Sequence, residues 1–199
     1  MIYVLIFLIV IILAILILVW LRKVQFDAVH RNFLDLVDHY GGKVFRGGFA
    51  IRPRFSGEIN GSPISISISS EKRKKNQQRQ FYISVFFKTP ANLNFTIMSN
   101  QWLNLRVESK EGKRPAVEIV ENQYRLEVSQ KNILKKLDIP KIENILKRIH
   151  PIAYVLVSKR GLILERISTN LIKDTEFDKL KELIEGMGEL SRLTVMDAR

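Results

Sequence analysis

The chain has 199 residues, 32 Lys and Arg against 20 Asp and Glu, a formal net charge of +12 and no cysteine. The missing cysteine excludes disulfide frameworks, thiolate metal sites, cysteine nucleophiles and thiol redox chemistry. Every charged side chain lies after Leu21, so the positive excess belongs to the body of the chain and predicts a surface suited to anionic lipid, an acidic protein or nucleic acid.

From Met1 to Leu21 every residue is apolar or aromatic, enough for about 31 Å of helix, close to the hydrocarbon thickness of a bilayer. Seventeen of these residues are Ile, Leu, Val or Phe, and their insertion contributes on the order of −5 to −10 kcal/mol. A cleaved signal peptide would need a basic start, a shorter apolar run and small residues at its end. Here the run closes on Trp20, Leu21, Arg22 and Lys23. A single transmembrane helix over 1–21 is therefore expected, with Tyr3 and Trp20 at headgroup depth. It holds no charge, no amide side chain and no glycine pair, which makes it a tether rather than an ion path or a close-packed dimer face. Arg22, Lys23 and Arg31 flank its C-terminal side only, so the positive-inside rule places the body in the cytoplasm.

Residues 22–42 carry Phe26, Val29, Phe33, Leu36, Val37 and Tyr40 at helical spacing, predicting a juxtamembrane amphipathic helix that stops at Gly41-Gly42. One long helix from the anchor and a kink near Val24 to Asp27 are the two alternatives. After Lys43 the period becomes two. Ile64, Ile66 and Ile68 share one face and serines the other, a half-buried strand. Asn60-Gly61 ahead of it is a type I′ hairpin signal, since both turn positions need positive φ. Pro63 and the serine face suggest a place near a sheet edge.

Further strands are predicted at Phe81 to Lys88, Leu93 to Met98, Trp102 to Glu108, Ala116 to Val120 and Tyr124 to Val128, joined by turn-rich stretches that imply antiparallel neighbours. Phe86 and Phe87 must point to opposite faces. Ser129 can cap a helix through about Leu137, Pro140 interrupts, and Ile142, Ile145, Leu146 and Ile149 mark another turn or two. Ile152 to Ser158 and Leu162 to Ile167 read as a hairpin around Lys159, Arg160 and Gly161. A last helix starts near Asp174 or Thr175, where Thr175 and Asp178 resemble a capping box, and Gly186 and Gly188 weaken its second half. The fold class that results is α+β: a single N-terminal transmembrane helix over 1–21, a juxtamembrane helix over 22–42, and over 43–199 a mostly antiparallel sheet domain with packed helices at its N- and C-terminal ends.

The most pointed chemical feature is the strand connection from Glu71 to Arg79, in which Lys72, Arg73, Lys74, Lys75 and Arg79 stand against one carboxylate. Such a run can touch anionic lipid, neutralise phosphates, or serve as a solvated loop that keeps a sheet edge from aggregating. Nucleic acid is disfavoured because no aromatic stacking residues interleave with these cations. Nothing points to a cofactor. His30, His39 and His150 lie in no metal-binding spacing, and His39 with Asp35 and Asp38 reads as the polar side of a helix. No nucleophile elbow, phosphate loop or dinucleotide fingerprint occurs. The sequence thus favours a membrane-anchored binding or scaffold module at the cytoplasmic membrane face over an enzyme acting on a membrane-associated substrate or a tethered nucleic-acid binder. Its expected partners are the bilayer, through 1–21, and an anionic lipid or acidic protein.

Overall fold

The structure is a computed structural model and describes residues 2–48, 51–71, 79–104 and 114–195. Its first element, α1 (Ile2–Tyr40), is one uninterrupted helix about 58 Å long at the usual rise. With neither Gly nor Pro in it there is nothing to kink it. Along Ile2 to Leu21 every side chain is exposed, whereas Phe26, Val29, Phe33 and Leu36 are fully buried. These four recur on one face at spacings of three and four, and burying them contributes roughly 6 to 12 kcal/mol against an extended chain, an upper bound. The helix ends where expected. Gly41 and Gly42 adopt φ of 71° and 98°, and a Cβ on Gly42 would come within 2.5 Å of the Ser56 carbonyl oxygen.

The chain then makes β1 (Lys43–Phe45), β2 (Arg54–Ile59), β3 (Ser62–Glu71), β4 (Gln80–Phe87) and β5 (Phe95–Ser99), followed by the short helix α2 (Asn100–Asn104). Next come β6 (Ala116–Ile119), β7 (Tyr124–Val128), the short α3 (Lys131–Leu134) and α4 (Ile139–Ile149). The hairpin β8 (Ile152–Ser158) and β9 (Gly161–Ser168) leads to α5 (Leu171–Asp174) and the closing helix α6 (Phe177–Val195). One sheet has the order β1-β2-β3-β4-β9-β8-β5-β7-β6, and every neighbouring pair is antiparallel. The late β8–β9 hairpin sits in the middle, joining the meander β1 to β4 to the trio β5, β7 and β6.

The main core lies between the sheet and α1, α4 and α6, and takes in Ile64, Ile66, Ile83, Val85, Phe87, Ile97, Val155, Leu162 and Leu164. A smaller buried cluster of Tyr82, Trp102 and Ala153 occupies the opposite face, with Met98, Leu103, Tyr154 and Ile167 packed on it. Phe86 stands half-buried on that second face, while Phe87 is in the main core. The Asn60-Gly61 turn has φ of 51° and 78°, positive at both positions as a type I′ turn requires.

Five local expectations are corrected. Pro63 is not at an edge strand: β3 pairs with β2 on one side and β4 on the other. Proline is tolerated because it is the second residue of the strand, where its carbonyl still accepts the Lys88 N–H at 2.8 Å. Trp102 starts no strand; Asn100 to Asn104 is helical, with Ser99 Oγ accepting the Trp102 N–H at 3.4 Å, and 105–108 lie outside the described residues. Pro140 opens α4 rather than interrupting a helix, and Asp138 accepts the Lys141 N–H at 3.2 Å as its N-cap. Ser129 caps nothing, since α3 begins after Gln130 without a side-chain cap. Thr175 likewise closes α5 instead of capping α6, its hydroxyl donating to the Leu171 carbonyl at 2.6 Å.

The two helix glycines of α6 behave differently. A Cβ on Gly186 would meet Ile149 Cγ2 at 2.6 Å, whereas one on Gly188 would meet nothing within 4 Å. Gly186 is what lets α6 approach α4. Gly186→Ala is therefore expected to destabilise by about 1 to 3 kcal/mol through overpacking, and Gly188→Ala to stabilise by about 0.5 to 1 kcal/mol, both read from urea unfolding midpoints.

Tyr124 ties three elements together. Its ring is buried on β7, its hydroxyl lies 2.7 Å from His150 Nδ1 at the end of α4, and it accepts the Ile152 N–H of β8 at 3.4 Å. Tyr124→Phe should cost about 1 to 2 kcal/mol near neutral pH by leaving buried polar groups unpartnered. Burial raises the Tyr124 phenol above its ordinary value, so the stability it adds is complete below about pH 10 and is lost as pH rises further. The wild-type advantage over Tyr124→Phe is expected to shrink above that pH in paired unfolding curves.

Candidate functional site

The antiparallel register fixes which loops share an end of the sheet. At one end β3 finishes at Glu71 opposite Gln80, and Ser70 lies opposite Phe81, which in turn faces Ser168. At the other, Phe87 faces Leu162 and Phe95 faces both Val157 and Val128. The question is which end adjoins the point where α1 leaves the core.

Two arginines answer it. Arg46, just past β1, forms an ion pair with Asp27 of α1, and Lys23 lies 4.0 Å from the same carboxylate. Arg52 donates to the Ile68 carbonyl at 3.4 Å and to Ser70 Oγ at 2.5 Å, and its guanidinium stands 5.9 Å from the Phe81 ring centroid. Its pKa is pulled below the ordinary arginine value, first by burial and then by repulsion from Arg22 and Arg79. Arginine nevertheless keeps its charge at physiological pH. Arg22 itself lies 5.5 Å over the Phe26 ring. The exit of α1, the β1–β2 connection and the root of the β3–β4 connection therefore meet at one end of the sheet.

That end gathers Arg22, Lys23, Arg46, Arg52 and Arg79, with Asp27 shared between two of them. Of the cations singled out in the β3–β4 connection, Arg79 is exposed at its end, and Lys72, Arg73, Lys74 and Lys75 lie outside the described residues. Sequence reasoning missed Arg46 and Arg52. The available signal was three arginines, Arg46, Arg52 and Arg54, within the nine residues that follow β1.

The remaining candidates separate from this end. Lys88, Lys159 and Arg160, with Pro63, Thr89 and Pro90, line an open groove at the far end. His150 is engaged by Tyr124, and His39 packs edge-on against Phe177 at 5.1 Å. Asp35, Asp38, His39 and Phe177 border a shallow depression between α1 and α6. Among the described residues no group of three or more His, Cys, Asp or Glu is arranged to hold a metal ion.

No family model and no curated protein matches this chain. Its fold is similar to the crystal structure of the mycobacterial trehalose monomycolate transport factor A, TtfA, with a TM-score of 0.53 over 83% of this chain and 93% of that one, at 8% identity. A likeness at that identity is one of fold.

Proposed function

We propose that the protein is a single-pass membrane-tethered binding module whose body, from Arg22 onward, stands on the cytoplasmic face and holds anionic lipid headgroups with the basic end of its sheet. The observation that carries this reading is the position of Arg52, bonded to β3 and electrostatically coupled to Arg22 at the helix exit and to Arg79 at the β3–β4 connection. Cations that repel one another at the foot of a tether are stabilised by a polyanion, and the nearest one is the lipid surface.

The apolar stretch of α1 is long enough to cross a bilayer once, and none of its most hydropathic window is buried by the rest of the molecule. A single apolar N-terminal helix also fits a signal sequence, but here the helix runs on without a break into the core, through Phe26 to Leu36. Removing it would strip the first sheet strands of their cover.

Near an anionic surface each Lys or Arg contributes roughly 1 kcal/mol within a Debye length. Five such residues, extended in sequence by Lys72, Arg73, Lys74 and Lys75, suffice for salt-sensitive adhesion. The cytoplasmic orientation follows from the excess of cations on the C-terminal flank of the span. The likeness in fold to a protein named for trehalose monomycolate transport is compatible with work at a lipid surface.

Two experiments test the proposal. Residues 22–199, which keep every buried side chain of α1, should float with vesicles that contain phosphatidylserine and not with phosphatidylcholine alone, and added salt should release them. Arg22→Gln with Arg79→Gln, both at exposed positions, should weaken that binding by about tenfold. Equal recovery from the two vesicle types would end the headgroup reading. Separately, a reporter fused at Arg199 of the full chain should resist external protease in intact cells; its digestion would place the body on the other side.

A further inference from the structure

Beyond Val24 the described large apolar side chains that stand open to water are Leu34 at 42%, Phe45 at 56%, Ile51 at 52% and Ile172 at 38%. The two most exposed of these lie six positions apart, Phe45 as the last residue of β1 and Ile51 in the connection to β2. Between them the Ile51 N–H donates to the Gly48 carbonyl at 3.4 Å. Single exposed apolar residues are ordinary on protein surfaces. Two more than half exposed within seven residues of β1 and the connection after it, where Leu34 and Ile172 are less exposed, call for an occupant.

The depth of Phe45 and Ile51 relative to the apolar stretch identifies that occupant. Leu21 is the last residue of the uncharged run, and Asp27 lies about 9 Å further along the helix axis. Arg46, directly after Phe45, is held by Asp27. Arg52, directly after Ile51, is bonded to the Ile68 carbonyl and to Ser70 at the end of β3 nearest the helix exit. The polar layer of a bilayer is about 5 to 8 Å deep on each side of the hydrocarbon. Phe45 and Ile51 are thus fastened at the height of Arg22 to Asp27, within reach of the headgroups on the side where the helix emerges. Their pattern is also that of an interfacial contact, in which apolar side chains enter the acyl boundary while flanking arginines stay with the phosphates.

We propose that Phe45, at the end of β1, and Ile51, in the connection to β2, enter the headgroup and acyl boundary beside the tether and form a second foothold on the bilayer. The contact rests on the tether reading above but not on the preference for anionic lipid, because Phe45 and Ile51 contribute through apolar contact. It also gives the edge strand an occupant: β1 is three residues long and ends the sheet, and lipid beside Phe45 shields an edge that would otherwise invite a second chain. With one foothold the body could swing about the helix axis. With two, its rotation is set, and the far-end groove at Lys88, Lys159 and Arg160 faces away from the membrane.

The native chain lacks cysteine, so a single introduced thiol labels one site. Full-length protein carrying Ile51→Cys, modified with an environment-sensitive nitrobenzoxadiazole dye, is reconstituted into vesicles of phosphatidylcholine alone and into vesicles that also contain phosphatidylserine. Phe45→Cys is the second probe, and Lys159→Cys on the far β8–β9 turn is the aqueous reference; all three positions are exposed, so folding is not at stake. At positions 45 and 51 emission should rise about twofold over the reference and shift to the blue, aqueous iodide should quench poorly, and a nitroxide at headgroup depth should quench well, as for a site at the acyl boundary. Shielding in both vesicle types supports the foothold even if the anionic preference fails. Shielding only with phosphatidylserine supports it as a contact drawn in by the arginines. Iodide access at 45 and 51 equal to that at 159 in both vesicle types overturns it, whatever the flotation of residues 22–199 shows about the basic end.

Discussion

A helix that runs from an apolar segment into a protein core without a break must change what surrounds it while keeping its backbone. In α1 that change happens within about one turn, between Leu21, fully in the exposed stretch, and Phe26, fully buried. The residues in between, Arg22 and Lys23, are the first charges in the chain. Because the rod is continuous, the sheet packed on Phe26, Val29, Phe33 and Leu36 inherits the orientation of the apolar half. A flexible linker would have left the basic loops free to face anywhere. A rigid helix holds one end of the sheet toward the lipid side and the other end away from it.

The sheet converts that orientation into a surface. Its register places the β1–β2 and β3–β4 connections at the end where α1 departs, and puts the turn at Lys159 and Arg160 at the other. The β8–β9 hairpin, coming late in the chain, fills the centre between β4 and β5. The meander β1 to β4 and the trio β5, β7 and β6 are joined into one sheet only through it. The last two helices then tie back onto the same layer: Arg148 of α4 meets Glu189 of α6 at 2.5 Å, and Asn32 of α1 donates to the Ile172 carbonyl of α5 at 2.8 Å.

Elements defined by local periodicity were legible from residues alone. The Ile64, Ile66, Ile68 alternation, the Asn60-Gly61 turn, the Gly41-Gly42 stop and the strand pairs in the C-terminal hairpin all follow from spacing and from φ requirements that few residues meet. The errors share a cause as well. Pro140, Ser129 and Thr175 sit at helix boundaries, where a side chain can serve the helix before it or the one after it, and only tertiary packing chooses. Trp102 reads as a strand residue because aromatics favour strands, but it packs on Tyr154, with ring centroids 5.4 Å apart, as a cover for the second face of the sheet. Gly186 looked like a weakness in α6; it is the point of closest approach to Ile149.

The candidate site was legible only in part, and for a different reason. A run such as Lys72 to Arg79 announces itself by density, whereas Arg46 and Arg52 are ordinary arginines until the fold brings them beside Asp27 and Arg22. What distinguishes Arg52 is that its charge is half-buried among other cations and anchored to β3 through Ser70. A solvated surface arginine could swing away from its neighbours and lower the repulsion. Arg52 is held by two acceptors and lies beside the Phe81 ring, which keeps its charge in place at this end of the sheet. Positive charge concentrated by the fold at the foot of the apolar helix, rather than the net charge of the chain, is therefore what sets this end of the sheet apart.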